Sequence, residues 1–162
     1  MSAIFTGFSL QSFLQDIFCG TCCLVLILIF HGSAINHLHM RFQRRTVVNL
    51  AQHQYNRVFF HFYLSFIYIA LIHLSEILIW SIFLLALDLS GSAIEAILFS
   101  GSCYTTVGFE PDILPNGWKT IAFFISLTGL FSLAWTTTIM IAMTTTYKAA
   151  WDQKYGNPDQ GL

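Results

Sequence analysis

The sequence predicts an all-α membrane protein with three transmembrane helices, and a short re-entrant helix and loop between the last two. Three observations carry this reading. Of the 162 residues, 56% are hydrophobic and only 9% are charged, against about 25% charged in an average soluble domain. The apolar residues gather into three long runs, near residues 17–35, 58–87 and 118–147, where a span needs about 20 apolar residues. The segment between the second and third runs is too apolar for a simple loop. A soluble chain of this size needs more polar surface to stay dissolved, and 162 residues leave no room for a second large domain.

The first run sits in an N-terminal region of residues 1–57, which ends in a basic connection. No Lys or Arg precedes the run, so a secretory signal peptide is not predicted. Cys19, Cys22 and Cys23 fall on one helical face. No partner set for a metal accompanies them, so they read as free thiols in a lipid or helix interface. With Cys103, they imply no disulfide framework. Arg41, Arg44, Arg45 and Arg57 follow the first run, Lys148 and Lys154 follow the third, and only Lys119 lies between the second and third. The positive-inside rule then places the first connection and the tail of residues 148–162 in the cytoplasm, with the N-terminus and residues 88–117 outside. The net charge of −1 carries no nucleic-acid signature, and the lipid bilayer is the expected surrounding.

The outer segment holds Asp88, Glu95, Glu110 and Asp112, an acidic mouth that concentrates cations. Ser92-Ala-Ile-Glu95 fits a capping box, and the apolar stretch from Ala93 to Phe99 continues as a short helix. Gly101-Ser-Cys-Tyr-Thr-Thr-Val-Gly-Phe109 then lacks helical periodicity. Such backbone survives at membrane depth only where protein buries it or where it lines a watery path.

Thr105-Thr106-Val107-Gly108-Phe109 resembles the selectivity filter of potassium channels, usually Thr-Val-Gly-Tyr-Gly. His73-Leu-Ser-Glu76, Leu114-Pro-Asn-Gly-Trp118, Gly129 and Trp135-Thr136 extend the likeness over roughly residues 61–147. The chain thus resembles a bacterial family of small potassium-channel-like ion channels, with one pore domain and an extra N-terminal span. That resemblance implies a pore domain at 58–147, with an outer helix at 58–87, pore helix and filter at 92–112 and an inner helix at 117–147. It implies a homotetramer in the bacterial inner membrane, because one pore loop cannot close a ring. The permeant ion, potassium or another monovalent cation, would be held by carbonyls of Thr106, Val107 and Gly108. No cofactor, soluble substrate or enzymatic activity is implied.

The chain departs from the family at Gly108-Phe109-Glu110-Pro111-Asp112. Phe109 lacks the usual tyrosine hydroxyl, and a residue before proline is pushed toward extended angles. The inner sites survive this change and the outer ones do not. Glu110, with Asp112 at the pore mouth, either rings the mouth with carboxylates able to hold calcium or simply wets its rim. His73 and Glu76 share a face of the second run. They form either a packing pair or a proton or metal site that includes His31. His37, His39, His53 and His61 read as interfacial. Ser126, Gly129, Leu133, Thr136 or Thr137, Met140 and Thr144 predict a polar stripe lining a water-filled cavity. Gly129 is either a gating hinge or a point of close packing. Neither outer span carries Arg at every third position, so no voltage sensor is predicted. The competing functions are a proton-coupled transporter using His31, His73 and Glu76, and a non-conducting regulatory subunit.

Overall fold

The computed structural model describes residues 10–108, 113–115 and 117–156. It is all-helical, with 85% helix and no strand among the described residues. The order is α1 (Leu10–Ala51), α2 (Tyr55–Ala86), α3 (Ala93–Tyr104) and α4 (Ile121–Tyr155). Helices α1, α2 and α4 are long and apolar enough to cross a membrane. Within the chain, only 22–28% of their most apolar stretches is buried. Ile29, Ile67, Leu74, Ile82 and Ile141 are all more than half exposed. A water-soluble protein does not leave that much apolar surface uncovered, so the chain is a transmembrane protein.

The helices overrun the apolar runs. At 42 residues, α1 is about 63 Å long, roughly twice the hydrocarbon thickness. Arg41, Arg44 and Arg45, expected in a connecting loop, lie within it. Arginine is a good helix former, and no glycine or proline occurs between Gly32 and Ala51. The connection to α2 is only Gln52-His53-Gln54. Helix α4 likewise runs past residue 147 to Tyr155. Cys19, Cys22 and Cys23 do not share one environment, being half-buried, exposed and buried in turn.

Three helix ends share one construction. After α1, His53 N–H donates to Leu50 O (3.0 Å) and Gln54 N–H to Asn49 O (2.8 Å). After α2, Asp88 N–H donates to Leu85 O (3.0 Å) and Leu89 N–H to Leu84 O (2.9 Å). After α3, Thr106 N–H donates to Cys103 O and Val107 N–H to Ser102 O, both at 3.0 Å. This is the Schellman closure, with one left-handed residue after the helix. That residue is His53 (φ 54°), Asp88 (φ 55°) or Thr106 (φ 58°). His and Asp adopt this region with some frequency, whereas a β-branched residue there is an outlier.

The chain divides into two compact units. One comprises Met1–His31 and His73–Leu133, the other Gly32–Ile72 and Ala134–Leu162. The first unit has α3 at the centre of its core. Ala96, Phe99, Cys103 and Tyr104 pack with Cys23 and Ile27 of α1, Trp80 and Leu84 of α2, and Ile121, Ala122 and Ile125 of α4. Asp16 of α1 is almost fully buried. Its Oδ2 accepts from the Thr120 N–H (3.0 Å) and the Thr120 hydroxyl, just ahead of α4. The second unit is built from Ile35, Leu38 and Ile69, and from Phe42, Phe62 and Met143. Its end carries Phe59 against Tyr147 and Trp151, and Lys154 Nζ donates to Asn56 Oδ1 at 2.5 Å. Aromatic rings beside basic residues suit a membrane–water boundary.

Candidate functional site

Helix α3 begins as its capping sequence dictates: Ser92 is extended, and its hydroxyl accepts from the Glu95 N–H at 3.2 Å. Its end differs from expectation, because Gly101–Tyr104 are not irregular but form its last turn. Local hydroxyls hold that turn. Ser102 Oγ donates to Phe99 O (2.9 Å) and Thr105 Oγ1 to Gly101 O (2.8 Å). Such bonds satisfy the hydroxyls locally within the helix end.

The four residues that follow have all their backbone donors turned into α3. The N–H groups of Thr105, Thr106, Val107 and Gly108 donate to Gly101 O, Cys103 O, Ser102 O (3.0 Å) and Ser102 O (3.5 Å) respectively. The segment Thr105–Thr106–Val107 therefore forms a helix cap in the single chain. Thr105, Thr106, Val107 and Gly108 are exposed, Val107 by 83%. Gly108 has φ 125°, and a Cβ there would meet nothing within 4 Å. Conformation, not space, calls for glycine at that position. The remaining expected filter and mouth residues, Phe109, Glu110 and Asp112, lie outside the described residues.

Helix α4 holds the end of α3 from behind. Ser126 Oγ donates to Cys103 O at 3.0 Å. Gly129 is buried, and a Cβ there would run into the backbone carbonyl of Tyr104. Of its two sequence readings, close packing is what the geometry displays. The expected cavity stripe is accordingly split. Gly129 and Thr136 are buried within the chain, whereas Leu133 and Thr137 are exposed. Small side chains at Ser126 and Gly129 serve contact with α3.

Beside this junction lies a buried polar cluster. Glu76 and His31 have no exposed surface, Tyr104 is 2% exposed, and His73 is half-buried. Tyr104 O–H donates to Glu76 Oε2 at 2.7 Å. With the phenol proton so placed, His73 Nδ1–H donates to the Tyr104 oxygen at 2.7 Å. His31 Nδ1–H donates to Glu76 Oε1 at 2.6 Å. These tautomers follow from the network. The His31 and His73 rings lie 5.4 Å apart between centroids. One ligand atom from each of His31, His73 and Glu76 falls within 4.8 Å of the others, which makes the trio a candidate set of metal ligands.

The sequence brings His73 and Glu76 together by their spacing and includes His31 as a third member. It does not reveal Tyr104, which sits 28 residues from Glu76 and 31 from His73. The available signal is chemical: a phenol in an apolar segment needs a partner, and so does an acid in a membrane helix. Compared with known protein families, curated proteins and solved structures, the chain matches none.

Proposed function

We propose that this chain is one subunit of a tetrameric cation channel, with α3 as a re-entrant pore helix and residues 105–108 as the inner part of a selectivity filter. The observation that carries this reading is the end of α3. A β-branched residue, Thr106, is held in the left-handed region. Placing an L-residue there costs roughly 1–2 kcal/mol, and such strain gathers at functional sites. The same closure turns four consecutive N–H groups inward. What this segment offers to its surroundings is carbonyl and hydroxyl oxygen at the negative end of a helix dipole, a setting that favours a cation.

Two further features support the assembly. Helix α3, with 12 residues, is too short to cross a bilayer. It nevertheless exposes Ile94 (73%) and Leu98 (67%), and Val107 beyond its end is exposed as well. Polar backbone and apolar side chains exposed together at membrane depth call for other copies of the chain around a watery axis. In the proposed orientation the N-terminus and α3 lie outside a bacterial inner membrane and the C-terminus lies in the cytoplasm. Glu110 and Asp112 then stand at the mouth.

The test is conduction by purified protein in planar bilayers, with reversal potentials measured in potassium, sodium and calcium gradients. Thr106→Ala removes a hydroxyl, and Gly108→Ala adds a side chain at φ 125°. Each lowers single-channel conductance several-fold, and Glu110→Gln weakens block by external calcium. Unchanged currents in the first two variants exclude this loop as the filter. A stable monomer with proton-coupled transport favours the transporter built on His31, His73 and Glu76.

A further inference from the structure

The buried cluster is not needed for the conduction path just described, and its donor set has its own chemistry. We propose that His31, His73 and Glu76 form a binding site for a first-row transition-metal dication of the zinc class, with Tyr104 beside it as the group that senses occupancy. Two imidazoles and one carboxylate are a set that zinc takes while leaving one position for water or another oxygen. Calcium and magnesium prefer all-oxygen surroundings, and imidazole selects the later divalent metals.

The geometry is close to what such an ion needs. His73 and Glu76 are three residues apart on α2 and so share a face, while His31 reaches the same point from α1. Metal–ligand bonds of about 2.0–2.1 Å place tetrahedral ligands about 3.3–3.5 Å apart. The three ligand atoms already lie within 4.8 Å of one another. The closest pair, His31 Nδ1 and Glu76 Oε1 at 2.6 Å, must open slightly. This suits an ion that replaces the shared protons. Glu76 is fully buried and bonds to Tyr104, itself a member of the apolar core. A dication compensates its charge more fully there than hydrogen bonds do. His73 is half-buried and provides access.

Binding has a defined consequence. Each imidazole must present a lone pair to the metal, so the proton on a ligating Nδ1 moves to Nε2, or leaves if the ring is cationic. When Glu76 turns to the metal, the Tyr104 O–H loses its acceptor or its oxygen becomes the fourth ligand, releasing its proton. Tyr104 is the last residue of α3, and its carbonyl abuts Gly129. Occupancy therefore acts directly on the turn that leads into Thr105 and Thr106. This regulatory consequence rests on the channel reading; the binding itself does not.

The experiment uses the purified full chain in detergent micelles, stripped with a chelator and titrated with Co²⁺ as a spectroscopic stand-in for Zn²⁺. The wild type should develop intense visible d–d bands at one metal per chain and lose them to added Zn²⁺. Losing even a supporting group around a metal typically costs about 10–100-fold in affinity. His31→Gln, His73→Gln and Glu76→Gln should each weaken binding by about 100-fold or more. His37→Gln, at an exposed histidine of α1, should leave it unchanged. As a check independent of the variants' folding, Zn²⁺ should raise the unfolding temperature of the wild type. Absence of the bands and of this shift overturns the proposal, as do bands that survive all three substitutions in folded protein. Intact currents without metal binding sink only the metal site. Metal binding without currents sinks only the channel.

Discussion

At the scale of single residues, two glycines make opposite forecasts. Gly101 lies within α3, where a Cβ would meet only Ile77 Cγ2 at 3.8 Å, an ordinary contact. Gly129 lies within α4, where a Cβ would meet the Tyr104 backbone, which cannot swing aside as a side chain can. Overpacking of this kind costs about 1–3 kcal/mol, whereas glycine to alanine in an open helix position gains up to about 1 kcal/mol. Gly129→Ala should therefore lower the unfolding midpoint in micelles, and Gly101→Ala should leave it equal or higher. Equal effects would remove the close approach of α3 and α4 from the account. Thr106 supplies the second forecast at this scale. Replacing it with glycine relieves about 1–2 kcal/mol of left-handed strain, less about 0.5–1 kcal/mol for the freer unfolded chain. Thr106→Gly should thus be neutral or stabilising by up to about 1.5 kcal/mol while conduction falls. A clear loss of stability would mean that the threonine is not strained.

At the scale of elements, contact between α1 and the start of α4 depends on Asp16. Its carboxylate receives both donors of Thr120 and takes the place of a local cap. A helix start left without such an acceptor is weakened by roughly 0.5–2 kcal/mol, and burial adds to the effect. Asp16→Ala should lower the unfolding free energy, read from a denaturant titration, by about 1–3 kcal/mol. Asp16→Asn, which keeps one acceptor oxygen, should lose less. Equal midpoints in wild type and Asp16→Ala would show that α4 is capped by other means. Ser92 at the start of α3 is the contrasting case, because it caps within its own turn and was readable as Ser92-Ala-Ile-Glu95.

At the scale of the whole molecule, charge separates cleanly between the two units. Among the described residues, the first holds Asp16, Glu76, Asp88 and Glu95 but only Lys119 on the basic side. The second holds Arg41, Arg44, Arg45, Arg57, Lys148 and Lys154 against Asp152 among its described residues. In the orientation proposed above, which follows the positive-inside rule, these basic residues lie on the cytoplasmic side. A single cysteine introduced at His53, in the short connection after α1, into a chain freed of its native cysteines should react with an impermeant maleimide only after the cells are opened. One introduced at exposed Gly91 should react in intact cells. The reverse pattern would invert the proposed orientation and place α3 on the cytoplasmic side.

Composition and local periodicity by themselves determined the helical class, the presence of three long apolar helices and the capped start of the short one. Each of these depends on residues within a single run or turn, where spacing alone records the environment. The pairing of His73 with Glu76 was legible for the same reason, since three residues bring them to one face. Helix lengths were less legible. Apolar runs end where polarity begins, whereas α1 continues through Arg41, Arg44 and Arg45 because the backbone meets no breaker there. Only the tertiary structure decided that Tyr104 joins Glu76 and His73, that Asp16 meets Thr120 from 104 residues away, and that Gly129 makes room for the end of α3. It also wound Thr105–Val107 into a helix cap. These contacts join residues far apart in sequence, and packing brings them together without leaving any period along the chain to announce it.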